Sequence, residues 1–238
     1  ENIIRSNKVK FFYGIPNSQN PSGTTWSQEK RRAIAEILTD SESVLFEDDA
    51  FGELFFDNRR RPPAKRYIPD QAVLSGSFSK IIAPGMRIGW IFAPARILKQ
   101  FNIVKQAADL HSNFFCQKIL HRYLIMYDLD EHIKNIVRVY KRKCRLMCDL
   151  LDDLVPQVTH TTPEGGIFLM ATLPEDLSSR AVFEEGIKRK VAVLPGLPFY
   201  IDGGGTDTIR MNFSTASEEQ IKEGMVRLAH VITDLQKT

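Results

Sequence analysis

Short apolar runs and longer amphipathic segments alternate along the N-terminal half of the chain. The runs at 9–13, 44–46, 72–75 and 89–92 are predicted as strands, and three of them are mostly apolar. Such runs are typical of a sheet that is covered on both faces. Between the first two strands, the segment 24–39 repeats apolar residues at helical spacing, an order that fits a right-handed βαβ crossover.

The C-terminal half has longer helices and a second set of strands. Helices are predicted at 95–107 and 112–127, and a long helix at 130–154 ends before Pro156. A helix of that length can connect two domains. After it the pattern predicts a compact α+β unit, with strands at 166–173, 191–194 and 209–213 and helices at 178–190 and 217–235.

Together these elements predict an α/β protein in three parts. Residues 1–128 are expected to form one domain with a mostly parallel sheet, and residues 129–155 to form a connecting helix. Residues 156–238 are expected to form a smaller α+β domain. A chain of 238 residues is long enough to bury a sizeable core in this way.

Composition restricts the classes of partner. The chain is 43% apolar and 26% charged, as in ordinary soluble proteins, and its net charge of +3 is too small to indicate a nucleic-acid partner. No apolar stretch approaches the roughly 20 residues that span a bilayer, so no membrane partner is expected. No signal peptide is visible, although the sequence starts at Glu1. The odd number of cysteines, three, favours a reducing compartment, and we expect a cytoplasmic location.

Two local clusters have two interpretations each. Cys144 and Cys148 share a face of the predicted long helix, which fits buried bystander thiols or a thiol metal site. Since no histidine joins them at metal-ligand spacing, we predict no metal. The basic residues at 59–61 and 65–66 surround two prolines, which fits a solvated loop or a patch that binds an anion or a partner.

The strongest chemical signal is Lys80, in the segment 77–89. It follows an apolar strand and small hydroxyl residues, and an arginine comes seven positions later. A lysine that forms an imine must be neutral, and nearby cations or a dry pocket lower its pKa. Ser77 and Arg87 can hold a phosphate dianion, the arginine through its planar fork of donors. Pyridoxal 5′-phosphate carries both the aldehyde and the phosphate that such a site would bind.

The predicted strands bring polar groups to one edge of the sheet. Asn20, Asp48 and Lys80 each follow a strand closely, and parallel strands place their carboxyl ends at the same edge. An amide, a carboxylate and an amine can therefore reach one ligand. In the later strand at 209–213, alternation directs Arg210 away from its apolar neighbours, to the same face as Asn212.

Five segments in order resemble the class I and II aminotransferases, which are pyridoxal-phosphate enzymes related to aspartate aminotransferase. The resemblance covers nearly all of the chain and implies the C-terminal part of the large domain followed by the smaller C-terminal domain. Along the chain, the segments are Asn-Pro-Ser-Gly at 20–23, Glu-Asp-Asp-Ala-Phe at 47–51, the lysine motif at 77–89, Pro-Glu-Gly-Gly-Ile-Phe at 163–168 and Ile-Arg-Met-Asn-Phe-Ser at 209–214.

The resemblance implies roles at the cofactor ring and the substrate. Lys80 would be the catalytic lysine that forms the Schiff base with the cofactor. Asp48 would pair with the pyridine nitrogen, which makes the ring an electron sink. Asn20 would bind the ring hydroxyl oxygen and lie beside the substrate. Arg210 would clamp the substrate α-carboxylate with two parallel hydrogen bonds, which lysine cannot reproduce.

The phosphate ligands follow from the same resemblance. Ser77 and Arg87 match the serine and the arginine that bind the cofactor phosphate, and Ser75 and Ser79 are the alternatives for the serine. Arg87 lies between two glycines, at 85 and 89, which permit close approach of the backbone.

The chain departs from the family pattern in two respects. Phe51 stands where most relatives have a tyrosine, and it cannot donate the usual hydrogen bond to the ring oxygen. Only a short segment precedes Asn20, so we expect that the family's N-terminal portion is lacking. That would leave an exposed sheet edge and an incomplete cofactor pocket. Pairing of two chains could cover the edge, and a homodimer is expected.

The predicted function is transfer of an amino group between an L-amino acid and a 2-oxo acid. Other chemistry on the same cofactor, such as a β-lyase or decarboxylase reaction, is an alternative because fold does not fix function. A second alternative is the ligand-sensing domain of a transcription regulator whose DNA-binding part lies upstream. A third is a fragment with no activity of its own.

Overall fold

The computed structural model describes residues 2–237, which form two compact units. The first unit contains the chain up to Asn17 together with Thr25–Ile136. The second contains Ser18–Thr24 and the chain from Val137 onward. The three-part division expected from the sequence stays a prediction, and each unit is described separately below.

The first unit is built on a four-stranded sheet in the order β1-β2-β3-β4. The first three strands are parallel and the fourth pairs antiparallel with the third. The strands are β1 (Phe11–Gly14), β2 (Val44–Asp48), β3 (Ala72–Ser77) and β4 (Gly89–Phe92). The helices are α1 (Asn2–Ser6), α2 (Gln28–Thr39), α3 (Ala95–Ala108) and α4 (Phe114–Met126), and α5 (Leu129–Leu154) begins in this unit and continues into the second.

One face of this sheet packs against α2. Leu38 of the helix and Leu45 and Ala72 of the strands are fully buried in one apolar cluster. Helix α2 begins four residues later than the sequence predicted, because Ser27 has an extended backbone and its side chain accepts a hydrogen bond from the backbone N–H of Lys30. The cap therefore fixes where the helix begins.

The expectation of a sheet covered on both faces does not hold at β4 within this chain. Trp90, Ile91 and Phe92 are 43%, 41% and 62% exposed. The strand lies at the edge of the sheet and pairs with β3 only. Its apolar composition therefore indicates a surface that the described part of the chain does not cover.

The second unit contains an antiparallel sheet in the order β5-β6-β8-β7 and the helices that pack on it. A capping box at Ser217 and Gln220 begins the last helix. The strands are β5 (Thr159–His160), β6 (Phe168–Thr172), β7 (Leu194–Pro195) and β8 (Thr208–Asn212), and the helices after α5 are α6 (Ser179–Lys188) and α7 (Glu218–Leu235). Strand β5 was not predicted, and β7 is shorter and later than predicted, because both pair over only two residues.

The described residues contain neither a candidate membrane span nor a candidate metal cluster. Between residues 2 and 237, no helix combines the length and the apolar character needed to cross a bilayer. Over the same residues, no group of three or more His, Cys, Asp and Glu side chains is arranged to hold a metal ion.

Candidate active site

Lys80 lies in a tight turn that follows β3. The carbonyl oxygen of Phe78 accepts hydrogen bonds from the backbone N–H groups of Ile82 and Ala83, at 2.8 and 3.2 Å, and the Phe78 N–H donates to the carbonyl of Ile88. These bonds fix the backbone on both sides of the lysine. Among the residues the structure describes, none forms a hydrogen bond or an ion pair with the half-buried Lys80 amine.

Hydroxyl and guanidinium groups gather in the same turn. The Ser77 Oγ accepts from the Ser79 N–H at 3.1 Å, and the Arg87 Nη1 lies 3.4 Å from the Ser79 Oγ. Arg87 also donates to the carbonyl of Pro84 and has a left-handed backbone with φ of 55°. A Cβ placed on Gly85 would meet no atom within 4 Å, so the space beside the cluster is open. These donors suit a phosphate dianion.

Asp48 ends β2 on the same face of the sheet as Ser77. The Tyr13 hydroxyl donates a 2.6 Å hydrogen bond to Asp48 Oδ2. The Tyr13 ring stacks on Phe46 with 5.9 Å between centroids. Burial, the hydrogen bond and the Asp48 charge together raise the pKa of Tyr13 well above its usual value. Tyr13 was not among the predicted site residues, although its position in β1 opposite Phe46 follows from the pairing of two strands that were predicted.

The neighbouring carboxylate, Asp49, points away from this face, as strand alternation predicts. The Asn17 side chain donates to Asp49 Oδ1 at 2.6 Å. Burial raises the pKa of Asp49, and the hydrogen bond from Asn17 and the charge of Arg31 oppose that shift. Asp48 and Asp49 therefore have different partners, and only Asp48 lies on the face that carries Tyr13 and Ser77.

A buried arginine holds the loop that follows β1. The Arg31 side chain is fully buried, its Nη1 lies 3.9 Å from Glu47 Oε1, and burial lowers its pKa. Glu47 is also fully buried; burial raises its pKa, although its carboxylate accepts hydrogen bonds from two backbone N–H groups. The Arg31 guanidinium donates to four oxygens: the carbonyls of Pro16, Trp26 and Pro62 and the Asn17 Oδ1. This network was not predicted, because nothing in the sequence pattern marks Arg31 as buried.

In the second unit, Arg210 and Asn20 are hydrogen-bonded. The Arg210 Nη1 donates to Asn20 Oδ1 at 2.7 Å. The guanidinium lies over two aromatic rings, 4.2 Å from the centroid of Phe168 and 5.1 Å from that of Phe199. Burial lowers the pKa of Arg210. Its strand β8 lies between β6 and β7, so Arg210 is not an edge-strand residue.

Four predicted side chains therefore belong to the first unit and two to the second. Ser77 and Arg87 are linked through Ser79; Asp48 is the last residue of β2, and Lys80 follows the adjacent strand β3. Phe51, where relatives were expected to have tyrosine, is buried. The roles of the predicted site residues stay predictions.

Comparison with known proteins gives the family context. The profile of the family "Aminotransferase class I and II" matches residues 2–228. The "Aromatic-amino-acid aminotransferase 1" of Thermococcus litoralis is 38% identical over 232 residues, which are 97% of this chain and 56% of that protein.

This chain is also similar to a solved structure and to a transcriptional regulator. The structure is that of LysN, an alpha-aminoadipate aminotransferase from Thermus thermophilus complexed with N-(5′-phosphopyridoxyl)-L-leucine. It matches with a TM-score of 0.95 and 32% identity over 99% of this chain and 62% of that one. The match confirms the predicted α/β fold. The "HTH-type transcriptional regulator NorG" of Staphylococcus aureus is 31% identical over 93% of this chain and 50% of that protein. The chain thus spans between half and two thirds of the length of these relatives.

Proposed function

The chain belongs to the class I and II aminotransferases, and on that premise we propose that the protein transfers an amino group between an L-amino acid and a 2-oxo acid, with pyridoxal 5′-phosphate as cofactor. The observation that carries the proposal is the turn around Lys80, where a lysine amine, two serine hydroxyls and a guanidinium are grouped within eleven residues, 77–87.

The residues of the first unit fit the cofactor chemically. Arg87 with Ser77 and Ser79 supplies a cation and hydroxyl groups for the phosphate. Asp48 supplies an anion for the ring nitrogen. When bound, the cofactor supplies an electron sink that stabilises negative charge at the substrate Cα. A carboxylate opposite the nitrogen keeps that ring cationic and supports the same chemistry.

Asn20 and Arg210 are assigned to the ring oxygen and the substrate. The Asn20 Oδ1 accepts from Arg210, so its amide NH₂ is the group that can donate to a ring oxygen. Since Phe51 has no hydroxyl, Asn20 is the donor we propose at that oxygen. Arg210 binds the α-carboxylate of the substrate and orients its Cα–H bond, because its planar fork matches a carboxylate.

Lys80 carries the proton transfers. Its amine would remove the proton from the substrate Cα as a general base and would deliver a proton to the former aldehyde carbon of the cofactor as a general acid. The amine has no hydrogen-bond or ion-pair partner among residues 2–237, so no described side chain competes with the cofactor for it. The turn that fixes its backbone limits the entropy lost in positioning it.

We further propose that residues 1–128 belong to the cofactor domain, 129–155 to the connecting helix and 156–238 to the small domain. We also propose a homodimer in the cytoplasm. The exposed aromatic side chains of α4, Phe114 and Phe115, support an interface with another chain. Light scattering of the purified protein measures the oligomeric state.

Two alternatives follow from the similarity data and the chemistry. The likeness to an HTH-type regulator is the observation that favours a ligand-sensing role. The sequence upstream of residue 1 in the gene distinguishes a regulator from an enzyme, because a regulator carries a DNA-binding segment there. A lyase or decarboxylase reaction would consume the amino acid without forming the matching 2-oxo acid.

The test is a single-turnover assay on the protein loaded with pyridoxal phosphate. Mixing with a panel of L-amino acids is expected to give one equivalent of 2-oxo acid for at least one of them. Arg87→Ala is expected to weaken cofactor binding at least about tenfold through loss of a charged hydrogen-bond partner, whereas Arg96→Ala on α3 is not. Cofactor binding without any oxo-acid formation would contradict the proposed function.

A further inference from the structure

The Tyr13 hydroxyl is the one hydrogen-bond partner that the Asp48 side chain has among residues 2–237. From this contact we propose that Tyr13 is a positioning residue: it holds Oδ2 of Asp48 and so presents Oδ1 to the ring nitrogen of the cofactor. The inference rests on the proposed function, because it assumes that Asp48 faces that nitrogen.

The pairing of β1 with β2 explains why the Tyr13 hydroxyl reaches the carboxylate of Asp48. Tyr13 lies beside Phe46 in the parallel register, and Asp48 comes two positions after Phe46 on the same face. The stacked Phe46 ring holds the phenol ring, so the hydroxyl reaches forward to the carboxylate. The separation of 2.6 Å is typical of a hydroxyl that donates to an ionised carboxylate.

The contact has a chemical consequence for Asp48. The Tyr13 hydroxyl occupies Oδ2 and fixes the rotation of the carboxylate, so Oδ1 is the oxygen left for a second donor. Tyr13 itself does not reach the reacting atoms in this assignment; it acts through the orientation of Asp48. Asp49, one position later, already accepts from Asn17 and lies on the other face.

The first measurement tests the contact without cofactor. In protein labelled with carbon-13 at aspartate carboxyl groups, Tyr13→Phe is expected to shift the Asp48 resonance at neutral pH. Tyr67→Phe is the matched control, because it removes a hydroxyl that is bonded to Gln28 elsewhere in the same unit, and it is expected to leave the Asp48 resonance unchanged. An unchanged resonance in Tyr13→Phe overturns the inference, whatever the cofactor does.

The second measurement tests the role. Tyr13→Phe is expected to weaken binding of pyridoxal phosphate about tenfold, as for loss of a hydrogen bond to a charged group, while Tyr67→Phe binds as the wild type does. An analogue whose ring nitrogen is replaced by carbon is expected to bind to Tyr13→Phe with the same affinity as to the wild type. With this analogue Asp48 has no ring proton to hold. A merely structural role would weaken both ligands equally.

The outcomes separate the two proposals. If the wild type binds pyridoxal phosphate and Tyr13→Phe binds it equally well, the inference is overturned and the proposed function stands. If Tyr13→Phe weakens binding of the analogue by the same factor as binding of pyridoxal phosphate, the role of Tyr13 is structural and the inference is again overturned. If the wild type binds no pyridoxal phosphate, the proposed function fails and the inference that rests on it fails too.

Discussion

The guanidinium of Arg210 donates a hydrogen bond to the side-chain oxygen of Asn20 at 2.7 Å, across 190 positions of sequence. The family resemblance assigns Asn20 to the ring oxygen of the cofactor and Arg210 to the carboxylate of the substrate. The bond fixes the orientation of the Asn20 amide, because the oxygen is committed to Arg210 and the NH₂ group points elsewhere. The bond also holds one nitrogen of the Arg210 guanidinium, and the guanidinium lies over the rings of Phe168 and Phe199, which further restrict its movement.

Arg210→Lys is expected to raise KM for the amino acid about tenfold to a hundredfold. Lysine keeps the charge but loses the planar fork that binds a carboxylate and an amide oxygen together. Steady-state kinetics with a fixed 2-oxo acid measure the effect.

The control for that variant is Arg180→Lys, an exposed arginine of α6 that pairs with Glu184. It is expected to leave KM unchanged, since exposed ion pairs contribute little. A KM for Arg210→Lys that matches the control would remove Arg210 from the substrate site.

Arg31→Met is expected to lower the free energy of unfolding by about 3–5 kcal/mol, because it leaves the buried carboxylate of Glu47 without its cation. It also removes the donors to Asn17 and to three backbone carbonyls of the loops around β2. Urea denaturation followed by circular dichroism measures the loss.

Arg32→Met is the matched control, one position along the same helix. The Arg32 side chain is exposed and is hydrogen-bonded only to the Tyr67 hydroxyl among the described residues, so no measurable change in the free energy of unfolding is expected. A loss below about 1 kcal/mol in Arg31→Met would show that the buried network contributes little to stability.

His160 makes the stability of the second unit depend on pH. Burial opposes its protonation, but the hydrogen bond to the Thr161 carbonyl, the negative charge of a Cys148 thiolate and the Asp152 carboxylate outweigh burial and raise the pKa of His160 above its ordinary value. A raised pKa in the folded state means that the imidazolium stabilises the fold. This contribution is full below the unfolded-state pKa of about 6.5 and is lost as the pH rises through the higher folded-state pKa.

Asp152→Asn is therefore expected to destabilise the protein at pH values below about 6.5 and to have a smaller effect at alkaline pH. The Asp152 side chain is 71% exposed, so the effect is screened and small. Unfolding free energies across this pH range measure it. A difference between variant and wild type that is independent of pH would exclude an effect through the His160 proton.

The sequence predicted the elements whose signal is local. The apolar runs identified β1, β2 and β3, and the turn with Lys80 after β3 follows from their order. The start of α2 was missed because a single hydrogen bond to Ser27 decides it, and β5 because two paired residues leave no periodic pattern.

Contacts between distant side chains could not be predicted in the same way. The bonds of Tyr13 to Asp48 and of Arg31 to Asn17 depend on strand register and on the path of a loop. Tyrosine and arginine are also common at protein surfaces, so nothing in the sequence spacing distinguishes Tyr13 and Arg31 from ordinary surface residues. The motif residues were predicted because their side chains have reactive or ligand-binding groups. The residues that support them, Tyr13 and Arg31, were recognised only in the folded structure.

The most direct test of the account is the covalent attachment of pyridoxal phosphate to the protein. Borohydride reduction of the loaded protein, followed by peptide mass spectrometry, is expected to find a single pyridoxyl group on Lys80. In Lys80→Ala that label is expected to be lost, while Lys99→Ala on α3 keeps it. A pyridoxyl group on another lysine, or equal labelling of Lys80→Ala, would contradict the assignment of Lys80 as the catalytic residue.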